Sequence, residues 1–212
     1  QSARRGEHYK FEAIANDIID KVQFEKDDIV LDLCCGNAAL AKRIAPLCKK
    51  IHGVDFSKEL IKTGERLMME EGILNMELHL ADAMVVDEIF SEDTFDKSYC
   101  YFSFQYFSKK KREMLLEKLS RVTRHKGWIF IGDIPDKTRM RNFYSSPVKY
   151  YREKISRIIQ FKEGECLLGW WIDPKEIVDW CEKRRMGVSI MPQSVNMPHA
   201  HYRFDVLIRN SK

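Results

Sequence analysis

The sequence predicts an α/β fold: a doubly wound, seven-stranded mixed sheet with helices on both faces and an antiparallel final strand. Short apolar runs alternate with helix-periodic segments along most of the 212 residues, the pattern of a sheet built from βα units. The last two runs, Val188 to Met191 and Tyr202 to Arg209, are joined by a short turn-rich stretch and so must pair antiparallel. A content of 44% hydrophobic and 32% charged residues describes a soluble globular domain, not a disordered or disulfide-stapled chain.

Each element has a local reason. Phe11, Ile14, Ile18 and Val22 recur at helical spacing, and the charged stretch Glu25 to Asp28 ends that helix before a buried strand at Ile29-Val30-Leu31. A helix over 38–47 and a strand over Ile51 to Asp55 follow. Ser57 is an N-cap for a helix reaching about Glu71, and Met76 to Leu80 is the third strand. Phe95 to Phe102 is the fourth. Ser108 caps a helix with Met114, Leu115, Leu119 and Val122 on one face, and Gly127 is its predicted C-cap before strand Trp128 to Ile131. Asp173 at N-cap, Pro174 at N1 and Glu176 at the capping-box position start another helix, closed by Gly187. Residues 138–170, with the aromatic, basic run Thr138 to Lys162, read as a substrate-covering insertion in a single domain spanning 3–212; Gln1 and Ser2 are taken as a processing remnant.

Thirty-six basic and 32 acidic residues leave +4, too small a bias to demand nucleic acid, and Lys109 to Arg112 and Lys183 to Arg185 read as solvated helix faces. No apolar run approaches a membrane span and no charged-then-apolar leader is present, so the expectation is a cytoplasmic protein without a membrane segment. The cysteines include no C-x-x-C; they read as reduced packing thiols, and no metal is expected.

Chemistry is expected at the strand ends. Val30 to Ala38 runs from a strand through a small-residue turn into a helix, so a ligand can approach backbone N–H groups closely. The second strand ends in Asp55, placed to accept from a ribose diol, and Asp82 follows the third. With Asp32, three successive strand ends each offer an acid toward one crevice.

The segments LDLCCGNAAL, HGVDFS, LADAM, FDKSYCYFSFQYF and KGWIFIGDIP resemble, in order and spacing, the successive motifs of class I S-adenosyl-L-methionine-dependent methyltransferases. The resemblance implies a Rossmann-like fold, S-adenosyl-L-methionine (SAM) as cofactor and S-adenosyl-L-homocysteine (SAH) as product. It implies that Gly36 and the backbone of its neighbours Cys34 and Asn37 hold the methionine part, with Asp32 orienting this loop and the amino group. Asp55 would bind both ribose hydroxyls. Asp82 would accept from the adenine amine, Ala83 would supply a backbone N–H, and Phe56 and Met84 would wall the ring. Tyr101 would lie beside the methionine. The turn departs from the family pattern, whose three alternating glycines stand here as Cys34, Gly36 and Ala38. G-x-G-x-x-G is absent, which disfavours a nicotinamide dehydrogenase.

On the acceptor side, Phe102 to Phe107 is an aromatic loop with polar tips, in which Tyr106 would orient the acceptor. Asp133 follows the fifth strand, and His199 and His201 lie between the last two; all three are candidate bases. The histidines rank first because an imidazole pKa near ~6.5 suits neutral pH. The competing accounts are core packing for the phenylalanines, a capping role for Asp133 and plain surface histidines. No [DN]-P-P-[FY] follows the fourth strand and no proline precedes Cys100, which disfavours nucleic-acid bases as acceptors. The expected acceptor is a small molecule methylated on oxygen or nitrogen. Ile131 to Pro135 and Gly169-Trp170-Trp171 loosely resemble enzymes acting on sugars or glycan precursors. The alternatives are RNA or protein methylation, drawn from the basic clusters, and a SAM-binding protein without turnover, drawn from the imperfect glycine turn.

Overall fold

The computed structural model describes residues 8–144, 147, 148, 151 and 169–211. In chain order the elements are α1 (His8–Val22), β1 (Ile29–Leu33), α2 (Ala41–Ile44), β2 (Lys50–Asp55), α3 (Lys58–Glu71), β3 (Met76–Leu80), α4 (Val86–Ile89), β4 (Phe95–Tyr101), α5 (Lys109–Val122), β5 (Thr123–Pro135), α6 (Met140–Phe143), α7 (Pro174–Glu182), β6 (Gly187–Pro192) and β7 (Arg203–Arg209). The seven strands form one sheet in the order β3-β2-β1-β4-β5-β7-β6. Strands β1 to β5 pair parallel, and β7 runs antiparallel to both β5 and β6. The strand order reverses at β1, between β2 and β4, which opens a crevice beyond the carboxyl ends of those strands.

The central strands β1 and β4 and the second half of β5 are buried on both faces, whereas the edge strands β3 and β6 are largely exposed. Val30, Ile51, Tyr99 and Phe130 pack under α1 and α2, whereas Leu31, Leu33, Cys100, Ile129 and Ile131 pack under α5 and α7. Ile14, Ile18 and Val22 of α1 and Leu115, Leu119 and Val122 of α5 supply the facing stripes. Each such side chain contributes roughly 1.5–3 kcal/mol by leaving water.

Several boundaries differ from the sequence reading for local steric reasons. The helix expected over 38–47 begins only at Ala41, because Ala38 takes a left-handed φ of 59° and lengthens the turn. Met114 is 44% exposed, and Leu116 takes its place in the core. Gly127 does not cap α5, which passes directly into β5 at Thr123. The glycine is needed there because a Cβ would stand 2.7 Å from the Asp96 carbonyl oxygen. The α7 helix ends at Glu182, Arg185 makes the left-handed reversal, and Gly187 is the first residue of β6. Asp173 caps α7 by accepting from the Lys175 N–H, but the Glu176 carboxylate accepts from Arg112 at 3.0 Å, so no reciprocal capping box forms.

Most of the insertion expected over 138–170 lies outside the described residues, as does Cys166. Among the described residues every cysteine is free, and no helix is long and apolar enough to cross a membrane.

Candidate functional site

The crevice is built around the turn after β1. Cys34, Gly36 and Ala38 all have left-handed φ, at 63°, 59° and 59°. The backbone therefore keeps the shape of an alternating-glycine turn although two of its three positions carry side chains, at a strain of about 1–2 kcal/mol each. Three hydrogen bonds hold it: Cys35 N–H to the Val54 carbonyl (3.0 Å), Ala38 N–H to the Cys35 carbonyl (3.0 Å) and Gly36 N–H to Asp55 Oδ2 (2.8 Å). Close packing of β2 and α3 completes the support. A Cβ on Gly53 would stand 2.9 Å from Cys35 Sγ, and one on Gly64 would stand 3.2 Å from the Asn37 carbonyl oxygen.

A Cβ on Gly36 would meet only Leu60 Cδ1, at 4.0 Å, so this position opens on the crevice. Gly36→Ala is expected to cost only about 1 kcal/mol of stability through backbone strain, because nothing in the protein clashes. Its effect on SAH affinity should be larger, since the methyl group stands where a ligand must approach the turn. Parallel urea unfolding and calorimetric titration test this; an equal loss in both would mean that only backbone strain is felt.

Asp32 is 3% exposed and sits opposite Tyr99 in the β1–β4 register. Asp32 Oδ2 and Tyr99 Oη are buried; no backbone N–H or cationic side chain of the described residues reaches Oδ2, and the Tyr99 hydroxyl faces the carboxyl. Burial, opposed by the Tyr99 hydroxyl and reinforced by the nearby Asp55 charge, pushes the Asp32 carboxyl up to about 7. Asp55, also buried, uses both oxygens on backbone, Oδ2 on Gly36 N–H and Oδ1 on Ser57 N–H at 2.9 Å. Its spare lone pairs leave capacity for further donors. Phe56, the next residue, is 78% exposed, an apolar ring face presented at the end of β2. After β3, Asp82 is exposed and caps a short turn by accepting from Met84 N–H at 2.8 Å, beside buried Ala83 and half-buried Met84. The crevice thus offers a carboxylate deep at β1, one at β2 and one at β3, with an aromatic ring between the last two.

The acceptor-side residues divide into two groups. Tyr101 is buried, and a Cβ on Gly132 would overlap its ring at 2.2 Å, which explains that glycine. The Tyr101 hydroxyl accepts from Gln193 Nε2 at 3.3 Å, so its polar end is anchored in the protein. Asp133 is 2% exposed; its carboxylate is ion-paired with Arg203 and accepts from Gln193 Nε2 at 3.1 Å. This commitment replaces the expected role as an open general base. Asp205, fully buried, accepts from the Asp133 N–H at 2.8 Å and from Lys21 Nζ at 2.6 Å, which ties α1 to the ends of β5 and β7.

Gln193 is the member that sequence reasoning missed. It directly follows β6 on the same carboxyl-end face, the placement that singled out Asp133. With Ile14, Tyr101, Phe102, Asp133, Met197 and His199 it lines a cavity of about 10 Å³, room for one water.

His199 is half-buried at that cavity, and its ring lies 5.4 Å from Tyr202. His201 is exposed, with its ring against the other residues of the loop at Tyr202 (4.8 Å). The loop joining β6 and β7 does lie at the carboxyl ends of the parallel strands, because β6 runs parallel to β5. Tyr106 is 60% exposed on the loop after β4. Phe104 is core packing, and buried Gln105 takes the Trp170 N–H on its carbonyl at 2.7 Å. Gly169 has a φ of 72°, and a Cβ there would strike the Gln105 carbonyl at 2.5 Å. Trp171 is 7% exposed in a small cluster with Tyr202 and Met140.

Comparison with known proteins adds three findings. Residues 30–127 match a family model described as a methyltransferase domain. A demethylmenaquinone methyltransferase of Geobacillus stearothermophilus is 30% identical over 115 residues, 52% of this chain and 47% of the relative. The chain spans about half the length of the curated relatives it matches. Among solved structures, a SAM-dependent methyltransferase from Methanosarcina mazei superposes with a TM-score of 0.72 at 16% identity, covering 92% of this chain and 97% of that one. Geranyl diphosphate C-methyltransferase from Streptomyces coelicolor A3(2) gives 0.67 at 13% identity, covering 100% and 85%. At these identities the structures share the fold.

Proposed function

We propose that this chain, whose residues 30–127 match a methyltransferase-domain model, is a class I SAM-dependent methyltransferase that binds SAM across the ends of β1, β2 and β3 and methylates an oxygen or nitrogen of a small-molecule acceptor. The observation that carries this reading is the left-handed Cys34-Gly36-Ala38 turn held by Asp55, beside the buried Asp32 carboxyl, whose Oδ2 no backbone N–H or cationic side chain of the described residues reaches. These residues fit the group. Asp32 would take the amino group, Gly36, Cys34 and Asn37 the methionine chain, Asp55 the ribose diol, and Asp82, Ala83, Phe56 and Met84 the adenine. Bound there, SAM supplies an electrophilic methyl on a sulfonium leaving group. The chain's own work is positioning and proton removal. Tyr101, fixed by Gln193 and Gly132, shapes the wall between the two halves of the site. His199, half-buried at the same face, accepts the acceptor's proton, while Tyr106 and His201 orient the acceptor from the open side. Asp133 holds Arg203 and Gln193 in place. The reduced cysteines suit a cytoplasmic setting.

The sugar reading finds little purchase, because Asp133 and Trp171 are committed to an ion pair and to packing. The relatives' names place demethylmenaquinone and geranyl diphosphate beside sugars and amines in the panel to test. SAH formation from SAM should require one of these acceptors; a product methylated on carbon, as the name of the geranyl diphosphate enzyme describes, would overturn the oxygen-or-nitrogen part of the reading. SAH binding without acceptor-dependent product would favour a non-catalytic SAM-binding protein, and salt-steep RNA binding would favour RNA methylation. His199→Gln should lower kcat about 100-fold or more with SAH affinity intact. Full activity in that variant would remove His199 as base.

Asp32 also predicts a pH dependence. Its folded pKa is raised from 3.8 to about 7, so the folded state holds a proton that the unfolded state releases. This contribution to stability is present below pH 4 and is lost as pH rises toward 7. Relative to Asp32→Asn, the parent should therefore lose stability over that window. A cationic ligand needs the ionised form, so SAM affinity should rise by up to about tenfold per pH unit below 7 and level off above it. Calorimetry in buffers of different ionisation enthalpy should register proton release on binding at pH 6; identical heats would contradict the assignment.

A further inference from the structure

We propose that His52, His79 and Glu77 form a site for one divalent transition-metal ion between β2 and β3, separate from the cofactor crevice. The strand register brings them together: His52 pairs with Glu77, and His79 stands opposite Val54, two residues further along. A period of two then places all three side chains on one face of the sheet. His52 Nδ1 and His79 Nε2 are 3.1 Å apart; Glu77 approaches His79 Nε2 to 3.7 Å and His52 Nδ1 to 3.9 Å. Their three donor atoms lie within 4.8 Å of one another. Two imidazole nitrogens that share an ion at ~2.0–2.1 Å stand about 3 Å apart, so the pair is already spaced for it.

The surroundings fix this arrangement. Phe90 packs edge-on against both rings, at 5.4 and 5.1 Å, and Phe95 against His52 at 5.7 Å. The histidine side chains are 12% and 22% exposed and Glu77 is 50% exposed, so solvent can fill the remaining coordination positions from the Glu77 side. Burial, with the Lys50 charge adding to it, lowers both imidazole pKa values, His52 to about 4. The neutral imidazole is the form that binds a metal. In the metal-free protein one ring donates to the other. Metal entry requires that ring to move its proton to its second nitrogen, a tautomer change that releases no proton. Imidazole with carboxylate is a donor set for zinc, copper, nickel or iron. Lys50 competes for the carboxylate, with Nζ 2.7 Å from Glu77 Oε2.

The competing account is a His–His hydrogen bond inside an aromatic cluster, and Lys50 separates the two. An untagged full chain stripped with chelator is titrated with Zn²⁺, by calorimetry and thermal melting, and with Co²⁺, by NMR. One equivalent of zinc should bind, with Tm rising by ~5–10 °C at a hundredfold excess over Kd. His79→Asn should weaken binding at least tenfold. Lys50→Gln should strengthen it severalfold by freeing Glu77, an effect that a purely structural pair does not produce. In the unmutated chain, Co²⁺ should shift the ring protons of His52 and His79, a readout independent of any variant's folding. SAH affinity should not change. Absence of binding to the folded parent, unshifted His52 and His79 resonances, or no gain in Lys50→Gln would overturn the proposal.

Discussion

Asp55→Ala is expected to weaken SAH binding at least ~100-fold. Two charge-assisted hydrogen bonds to a ribose diol are worth about 1.5–3 kcal/mol each, and each 1.4 kcal/mol is tenfold in affinity. The side chain has a second role, because its oxygens accept from Gly36 N–H and Ser57 N–H, one in the methionine-side turn and one at the start of α3. Its removal therefore also costs stability, about 1–3 kcal/mol for the groups left unpaired. Asp55→Asn separates the roles: an amide oxygen still serves one backbone N–H, but the charge that favours two donors is gone. Calorimetric titration at a temperature where each variant is folded gives the affinities. A dissociation constant unchanged from the parent in Asp55→Ala would remove Asp55 from the ribose contact.

Arg203→Met should cost roughly 3–5 kcal/mol of stability, the usual result of leaving a buried carboxylate without its partner. Asp133 is 2% and Arg203 4% exposed, so solvent cannot take over the pairing. The Asp133→Asn, Arg203→Met double variant should recover much of the loss, since no unpaired charge is then buried. Urea unfolding of the four proteins closes the cycle. A loss under 1 kcal/mol for Arg203→Met would mean that the pair is dispensable and that Asp133 is available for other work.

The features legible in the sequence were those with local causes. The β3 strand at Met76–Leu80, the Ser57 and Ser108 caps and the antiparallel β7 all follow from spacing, side-chain capping or loop length. Misread features depended on contacts distant in sequence. Gly127 looked like a helix cap, but its requirement comes from the Asp96 carbonyl on the neighbouring strand. Asp133 looked like an open acid at a strand end; its partner Arg203 is 70 residues away, and charge sign alone does not pair them. Gln193 carried no motif, and its role as a donor to Tyr101 and Asp133 appears only when β6 and β4 end on the same face. His52 and His79 lie 27 positions apart, so only the β2–β3 register makes them neighbours. Two of the family pattern's three glycines are absent from the turn, yet Cys34 and Ala38 keep left-handed backbone, held by Asp55, Val54 and the tightly packed Gly53 and Gly64.

A crystal structure of the SAH complex is the most direct measurement of the central claim, that one crevice at the ends of β1, β2 and β3 is a SAM site. The predicted result is a ribose diol on the Asp55 carboxylate, the amino group at Asp32, and adenine beside Phe56 and Asp82, with the sulfur facing the His199 side of the crevice. SAH bound elsewhere, or in this crevice with its ribose away from Asp55 and its amino group away from Asp32, would contradict it.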